Sequence, residues 1–200
     1  MQLQVTGELR GYSHWILLFI ALSCRAQFSQ AAIEIPEATM LPAPAQAARL
    51  ASRQKLDGLF LQLQQAENEA QARVIETAIW EHWFRSDNQV IVSLMGEAMR
   101  ARRESDYEKA IELLTTVIVS YPDYSEAWNQ RATIYFLIGD DEASLIDIAE
   151  TLAREPRHFG ALAGRAMIRS KQGKPVLAKN NLREAVKIHP FLRDRHLLGD

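Results

Sequence analysis

An all-α solenoid of helical hairpins is the fold class that this 200-residue sequence predicts. Three observations carry that expectation. Pro122, Pro156 and Pro190 stand 34 residues apart in two consecutive steps. The same shift aligns small with small and large with large: Ala98, Ala132 and Ala166; Ala110, Ser144 and Ala178; Leu114, Ile148 and Leu182; Leu94, Trp128 and Leu162. Helical apolar spacing fills the body, with no sustained alternation of the kind a half-buried strand needs; only Val90–Leu94 is strand-like, and it abuts a helical pattern. Self-similarity at a fixed period means stacked supersecondary units.

Taken from the N-terminus, the first element is a short apolar run, Trp15 to Ser23, between Arg10 and Arg25. A bilayer-spanning helix needs about 20 apolar residues, whereas a secretory h-region of about 7–15 fits. Ser29-Gln30-Ala31 has the small-x-small form of a cleavage site, so residues 1–31 read as a signal peptide and the mature chain is expected to start near Ala32. A second reading stays open: Ala21-Leu22-Ser23 places small residues ahead of Cys24, as in a lipoprotein anchored at that cysteine. Either way the expectation is export, with the periplasm as compartment and membrane contact only through the leader or a lipid on Cys24. Residues 32–48 carry Pro36, Pro42 and Pro44 and read as an exposed tether. Residues 49–90 read as a helical hairpin, a degenerate repeat or a cap. Leu56, Phe60 and Leu63 mark its first helix; Ile75, Ile79, Trp80, Trp83 and Phe84 mark its second. As a fourth hairpin it would pack those aromatics on the first clear repeat.

Three 34-residue units follow, 91–124, 125–158 and 159–192, with 193–200 as a tail or cap. Ala98, Ala132 and Ala166 let each first helix approach its neighbours. Trp128 and Tyr135 share a face and are expected in the interior. Gly139 can end a helix in the left-handed conformation, and Asp140 or Asp141 can cap the next. Pro156 stops a second helix because its preceding residue resists helical geometry. Pro175, two residues after Gly173, suits a first helical turn.

The order Trp128, Ala132, Tyr135, Gly139, Ser144, Ile148, Pro156 resembles the tetratricopeptide-repeat pattern. Tyr107, Ala110, Leu114 and Pro122 carry it in the first unit; Ala166, Gly173, Ala178, Leu182, Ala185 and Pro190 carry it in the third. The resemblance implies a right-handed α-solenoid whose first helices line a concave groove. The leader followed by repeats is also similar to the layout of small exported bacterial members of the family. By the family's groove slots, the candidate partner-binding residues are Met95, Met99, Arg102, Arg103, Asn129, Thr133, Phe136, Met167 and Lys171, with Val92, Glu126, Leu137, Gly160, Ala163 and Ser170 in the remaining slots. Methionines adapt to irregular apolar partners, and aromatics and arginines often carry binding energy. An alternative is that Phe136 and Leu137 pack on the chain's own N-terminal helix. The family's clamp for acidic peptide C-termini needs lysines where this chain has Met95 and Ala163, so that version is not expected.

Composition excludes several classes. A formal net charge of −2 gives no field that would collect nucleic acid or anionic lipid. One cysteine excludes an internal disulfide and a cysteine-based zinc site. His14, His82, His158, His189 and His196 form no two-histidine helix motif and read as surface histidines near helix ends. No nucleophile elbow, phosphate loop or dinucleotide fingerprint is present. No enzyme activity, cofactor or metal is expected. The expected function is a scaffold or adaptor holding a protein, peptide or helix in the groove, with envelope assembly as its setting; the alternative is a self-associating structural subunit stacking through its end repeats.

Overall fold

The computed structural model describes residues 43–199. The chain divides into two units, residues 1–46 and 47–200. Of the first, only Ala43–Gln46 is described, as the opening turn of a helix. The leader, its cleavage site, Cys24 and most of the tether lie outside the described residues. In chain order the α-helices are α1 (Ala43–Gln64), α2 (Glu69–Phe84), α3 (Gln89–Arg103), α4 (Tyr107–Ser120), α5 (Ser125–Leu137), α6 (Asp141–Arg154), α7 (Phe159–Lys171) and α8 (Pro175–Ile188); a 3-10 helix, Arg193–Leu198, follows. Among the described residues there is no strand.

The helix starts explain themselves. Asp106 and Asp140 cap α4 and α6 by accepting from the amides of Lys109 (3.1 Å) and Ala143 (3.0 Å), which satisfies donors that a helix leaves free. The third equivalent position, Lys174, has no side-chain cap, and Pro175 sits at the first turn instead. Each first helix ends the same way. The amides of Asp106, Asp140 and Lys174 each donate back to the carbonyl five residues earlier, on Ala101, Tyr135 and Arg169, at 2.9 Å. The residue before each of them has positive φ: Ser105 (63°), Gly139 (85°) and Gly173 (69°).

Helices α3–α4, α5–α6 and α7–α8 are the three repeat hairpins, each packed on the next. Ala98, Ala110, Leu114 and Val117 are fully buried in a core that runs from the first repeat into Ala127 and Ile134 of the second. Ala132, Ile148, Ala161 and Ile168 join the second repeat to the third. Between the first and second repeats Arg131 reaches Asp147 through two bonds, 2.7 and 2.9 Å, and donates a third to Thr115 (2.9 Å), so one guanidinium ties α4, α5 and α6 together. Two expectations change here. The helix α1 begins inside the proline-containing tether, because Pro44 occupies its first turn, where a missing N–H costs nothing. Trp128 and Tyr135 are half-buried rather than interior: the Trp128 indole donates to the Pro122 carbonyl (2.9 Å) and Arg154 covers its ring at 4.7 Å.

Helices α1 and α2 do not stack on the first repeat as a fourth hairpin would. Leu56, Phe60 and Leu63 of α1 and Ala72, Ile75, Ile79 and Trp83 of α2 share one core with Phe159, Leu162, Ala163, Ala166, Leu182, Ala185 and Leu192 of the third repeat. The hairpin therefore seats on the third repeat and its junction with the second, where Leu152 of α6 joins the same core and α2 also meets α5. Phe84, its last residue, packs against the core of the first two repeats.

Candidate functional site

The seat of α2 decides which part of the first-helix face is open. Trp83 lies flat on the imidazole of His158, centroids 4.0 Å apart and planes 9° from parallel. Trp80 meets Phe159 and His158 edge-on at 5.6 and 5.3 Å. Its ring occupies the space where a side chain on Gly160 would be: a Cβ there would lie 2.8 Å from Trp80 Cη2. The indole of Trp80 donates to Glu76 one turn back (3.4 Å), and Glu76 lies 3.3 Å from His189. That neighbouring imidazole is the largest cause holding the Glu76 carboxyl below its ordinary 4.5, against the opposing effect of burial. On the other side of the hairpin, Arg157 binds Asp57 (2.6 Å) and covers Phe60 at 4.3 Å, fixing α1 to the turn between the second and third repeats. Tyr124 donates its hydroxyl to the Phe84 carbonyl (3.1 Å), and burial pushes that phenol up from its ordinary 10.

The two buried histidines, His158 and His189, are structural, not surface groups. His158 Nδ1 accepts from the amide of Ala161 (3.1 Å), capping α7. Nδ1 therefore carries no proton, and Nε2 donates to Glu126 at 3.1 Å. Glu126, fully buried, also accepts from Asn129 (3.2 Å) and Gln130 (2.5 Å). This network explains how a carboxylate is tolerated in a groove slot without solvent. Among the described residues no group of three or more His, Cys, Asp or Glu side chains is placed to hold a metal ion, and no helix is long and apolar enough to cross a membrane.

The predicted groove residues separate into three sets. Met95 is 4% exposed and belongs to the first-repeat core, so no partner can reach it. Asn129 is buried and committed to Glu126. Met99 is half-buried on that same core; Arg102 donates to Gln130 (3.0 Å), and Arg103 stays exposed. The third set converges. Asn129, Thr133 and Phe136 of α5 and Gly160, Gly164 and Met167 of α7 line a cleft of about 100 Å³. Met167, 43% exposed, also borders a cavity of about 340 Å³ at the α7–α8 end and one of about 390 Å³ against α2. Lys171 pairs with Asp141 (2.9 Å) while lying 5.9 Å from the Phe136 ring. Leu137 is exposed beside them. The arrangement offers apolar contact surface with a cation at its edge; it holds no arrangement of nucleophile and base.

The residues that seat α2 were visible only as a pattern of complementarity. The third repeat has Gly160 and Ala163 in the groove slots where the second has Glu126 and Asn129, and the N-terminal hairpin carries two tryptophans three residues apart. Small slots opposite large rings were the available signal.

No protein-family model matches the chain. A TPR repeat-containing protein of Rhizobium etli is 38% identical to it over 138 residues, which cover 69% of this chain and 68% of that protein.

Proposed function

The chain belongs to the tetratricopeptide-repeat proteins, a family of interaction modules, and from that premise we propose that it is a non-catalytic adaptor holding a peptide or partner helix around Met167. The observation that supports this most is the exposed Met167 at the meeting point of three cavities, with Phe136 on one side and Lys171 at the rim. Apolar side chains of the partner would bury against Met167, Phe136 and Leu137, and its acidic groups would be oriented by Lys171 and Arg103. Burying one large apolar side chain there contributes about 1.5–3 kcal/mol, and such anchors carry most of the binding energy of an interface. The test is capture from an extract of the host with the chain as bait, beside a Met167→Glu, Lys171→Glu variant whose helicity matches the parent. Both positions are exposed, so the variant keeps its core. A protein retained by the parent and lost by the variant supports the adaptor; equal retention rejects this site.

Self-association is the second reading. It draws on the outer face of α8, where Val176 is 70% exposed and Leu177 lies beside it, with Leu197 of the 3-10 helix also exposed. Sedimentation at increasing concentration tests it: a size increase abolished by Val176→Glu supports it, and a constant monomer rejects it. Export to the periplasm is part of the proposal. Mass spectrometry of the purified N-terminus distinguishes a chain starting at Ala32 from one lipidated at Cys24, and an intact leader on a cytoplasmic chain rejects both.

A further inference from the structure

The N-terminal half of the first-helix face is a receptor for a helix, already filled in this chain. We infer that α2 is a displaceable resident of that receptor, and that the competing partner is an amphipathic helix carrying an acid and two large aromatics in the order Glu-x3-Trp-x2-Trp. This rests on the interaction-module reading above and deepens it by naming the chemistry recognised.

The pattern is read from the seat. Three side chains on one face of α2, Glu76, Trp80 and Trp83, meet three prepared positions: His189, Gly160 and His158. His158 is locked into one tautomer by the Ala161 amide and Glu126, so its flat face is presented as a rigid shelf for an indole. Gly160 leaves a space that any side chain would fill. These features select aromatic rings at a spacing of three and an acid one turn earlier, and they belong to the repeats rather than to α2.

The resident fits incompletely. The indole nitrogen of Trp83 and Nδ1 of His189 are buried without a hydrogen-bond partner, and His189 Nε2 has only the 3.3 Å contact with Glu76. A cavity of about 390 Å³ remains between α2 and α7, bordered by Ala72 and Glu76 on one side and by Ala163, Met167 and His189 on the other. Unpaired buried polar atoms and missing contacts both weaken a seat. A helix with a longer side chain in place of Ala72 and an acceptor for the second indole would fit better. Short connections, residues 65–68 to α1 and 85–88 to α3, hold α2 in the chain, and its cavity shares Gly160 and Met167 with the lining of the open cleft. Removing α2 would extend the groove along the whole of α7.

The probe is a labelled synthetic peptide of residues 67–86, measured by fluorescence anisotropy. The receptor is the full chain, either parental or carrying Trp80→Ala with Trp83→Ala, which loosens the resident and leaves the seat intact. Binding to the double variant at least about tenfold tighter than to the parent is expected, because the parental receptor is mostly occupied; adding Gly160→Leu should abolish it. Equal binding to both chains, or none to a folded double variant, overturns the inference. Should the double variant fail to fold, a protease site inserted between Ser86 and Asp87 of the parent replaces it. After cleavage, excess peptide should release the 43–86 hairpin from a still-helical remainder. A hairpin released only on global unfolding overturns the inference. A concentration-dependent dimer that the peptide dissociates would assign the receptor to a second copy and overturn the partner reading. Capture through Met167 is read independently of all these arms, so its success or failure is distinguishable from theirs.

Discussion

Replacing Gly160 by alanine puts one methyl group where the seat of α2 has no room. The new Cβ would lie 2.8 Å from Trp80 Cη2 and 3.0 Å from Cζ2, well inside the contact optimum of about 3.5–4.0 Å. An indole tip at a free surface would swing aside at little cost. This one is boxed in by Trp83 at 5.1 Å, His158 at 5.3 Å and Phe159 at 5.6 Å, so the strain must be relieved by moving α2 itself. Overpacking of this kind costs about 1–3 kcal/mol. Against it stands the helical preference of alanine over glycine, at most about 1 kcal/mol and smaller here because Gly160 is the second residue of α7. The net expectation is a loss of about 1–2 kcal/mol. Urea unfolding of the parent, Gly160→Ala, Trp80→Ala and the double variant isolates the contact. In the Trp80→Ala background the methyl enters vacated space, so Gly160→Ala becomes neutral or stabilising, with a coupling energy of about 1–3 kcal/mol. If Gly160→Ala stabilises the parent as much as it stabilises the Trp80→Ala chain, α2 does not sit on the third repeat and the reasoning fails.

Other consequences are equally specific. Asp147→Ala should lower stability by about 3 kcal/mol in the same unfolding assay, since it strands a half-buried Arg131 guanidinium that Asp147 binds through both oxygens; a change within error would contradict the anchoring role. Ser105→Gly should raise thermal stability by about 1 kcal/mol, because Ser105 holds φ 63° in the slot that glycine fills in the other two repeats; a lower melting temperature would contradict this. His82 is held below its ordinary 6.5, first by burial and then by Lys55 and Arg85. The unfolded chain therefore takes the proton first, and the stability associated with His82 is present above pH 6.5 and lost as pH falls through the folded value. His82→Gln should flatten the dependence of the urea midpoint on pH in that window; an unchanged slope would contradict it.

The repeat array was legible in the sequence because its information is local and periodic. Small residues at Ala98, Ala132 and Ala166 signal close helix approach, and turn chemistry at Gly139 and Asp140 names its own geometry. Each unit's neighbour in space is its neighbour in sequence, so the period that identifies the unit also places it. The N-terminal hairpin lacks that property. Trp80 and Trp83 announce burial but not against what, and the adjacent first repeat was the natural guess. Their real partners, His158 and Phe159, stand more than seventy residues later, and the choice was made by cavity shape at Gly160 and Ala163. The groove suffered the same limit. A slot number says which face a side chain leaves from, and this separates Met167 from the core. It does not say that a second helix covers Gly160, nor that Met95 turns inward into the core of Ala98 and Leu114. His158 and His189 read as surface groups because nothing in their sequence context reveals that α2 closes over them.

The placement of α2 on the third repeat is the claim on which the open site, the filled receptor and the Gly160 prediction all depend. Nuclear Overhauser contacts of the Trp80 indole in the parental chain test it most directly. A strong contact between the Trp80 Hη2 proton and the Gly160 Hα protons is predicted, because the built Cβ direction at Gly160 points at that carbon, together with contacts from Trp83 to the His158 ring. Contacts from Trp80 and Trp83 to Ile91, Leu94 or Ala98 instead would place the hairpin on the first repeat as a fourth stacked unit and contradict the account.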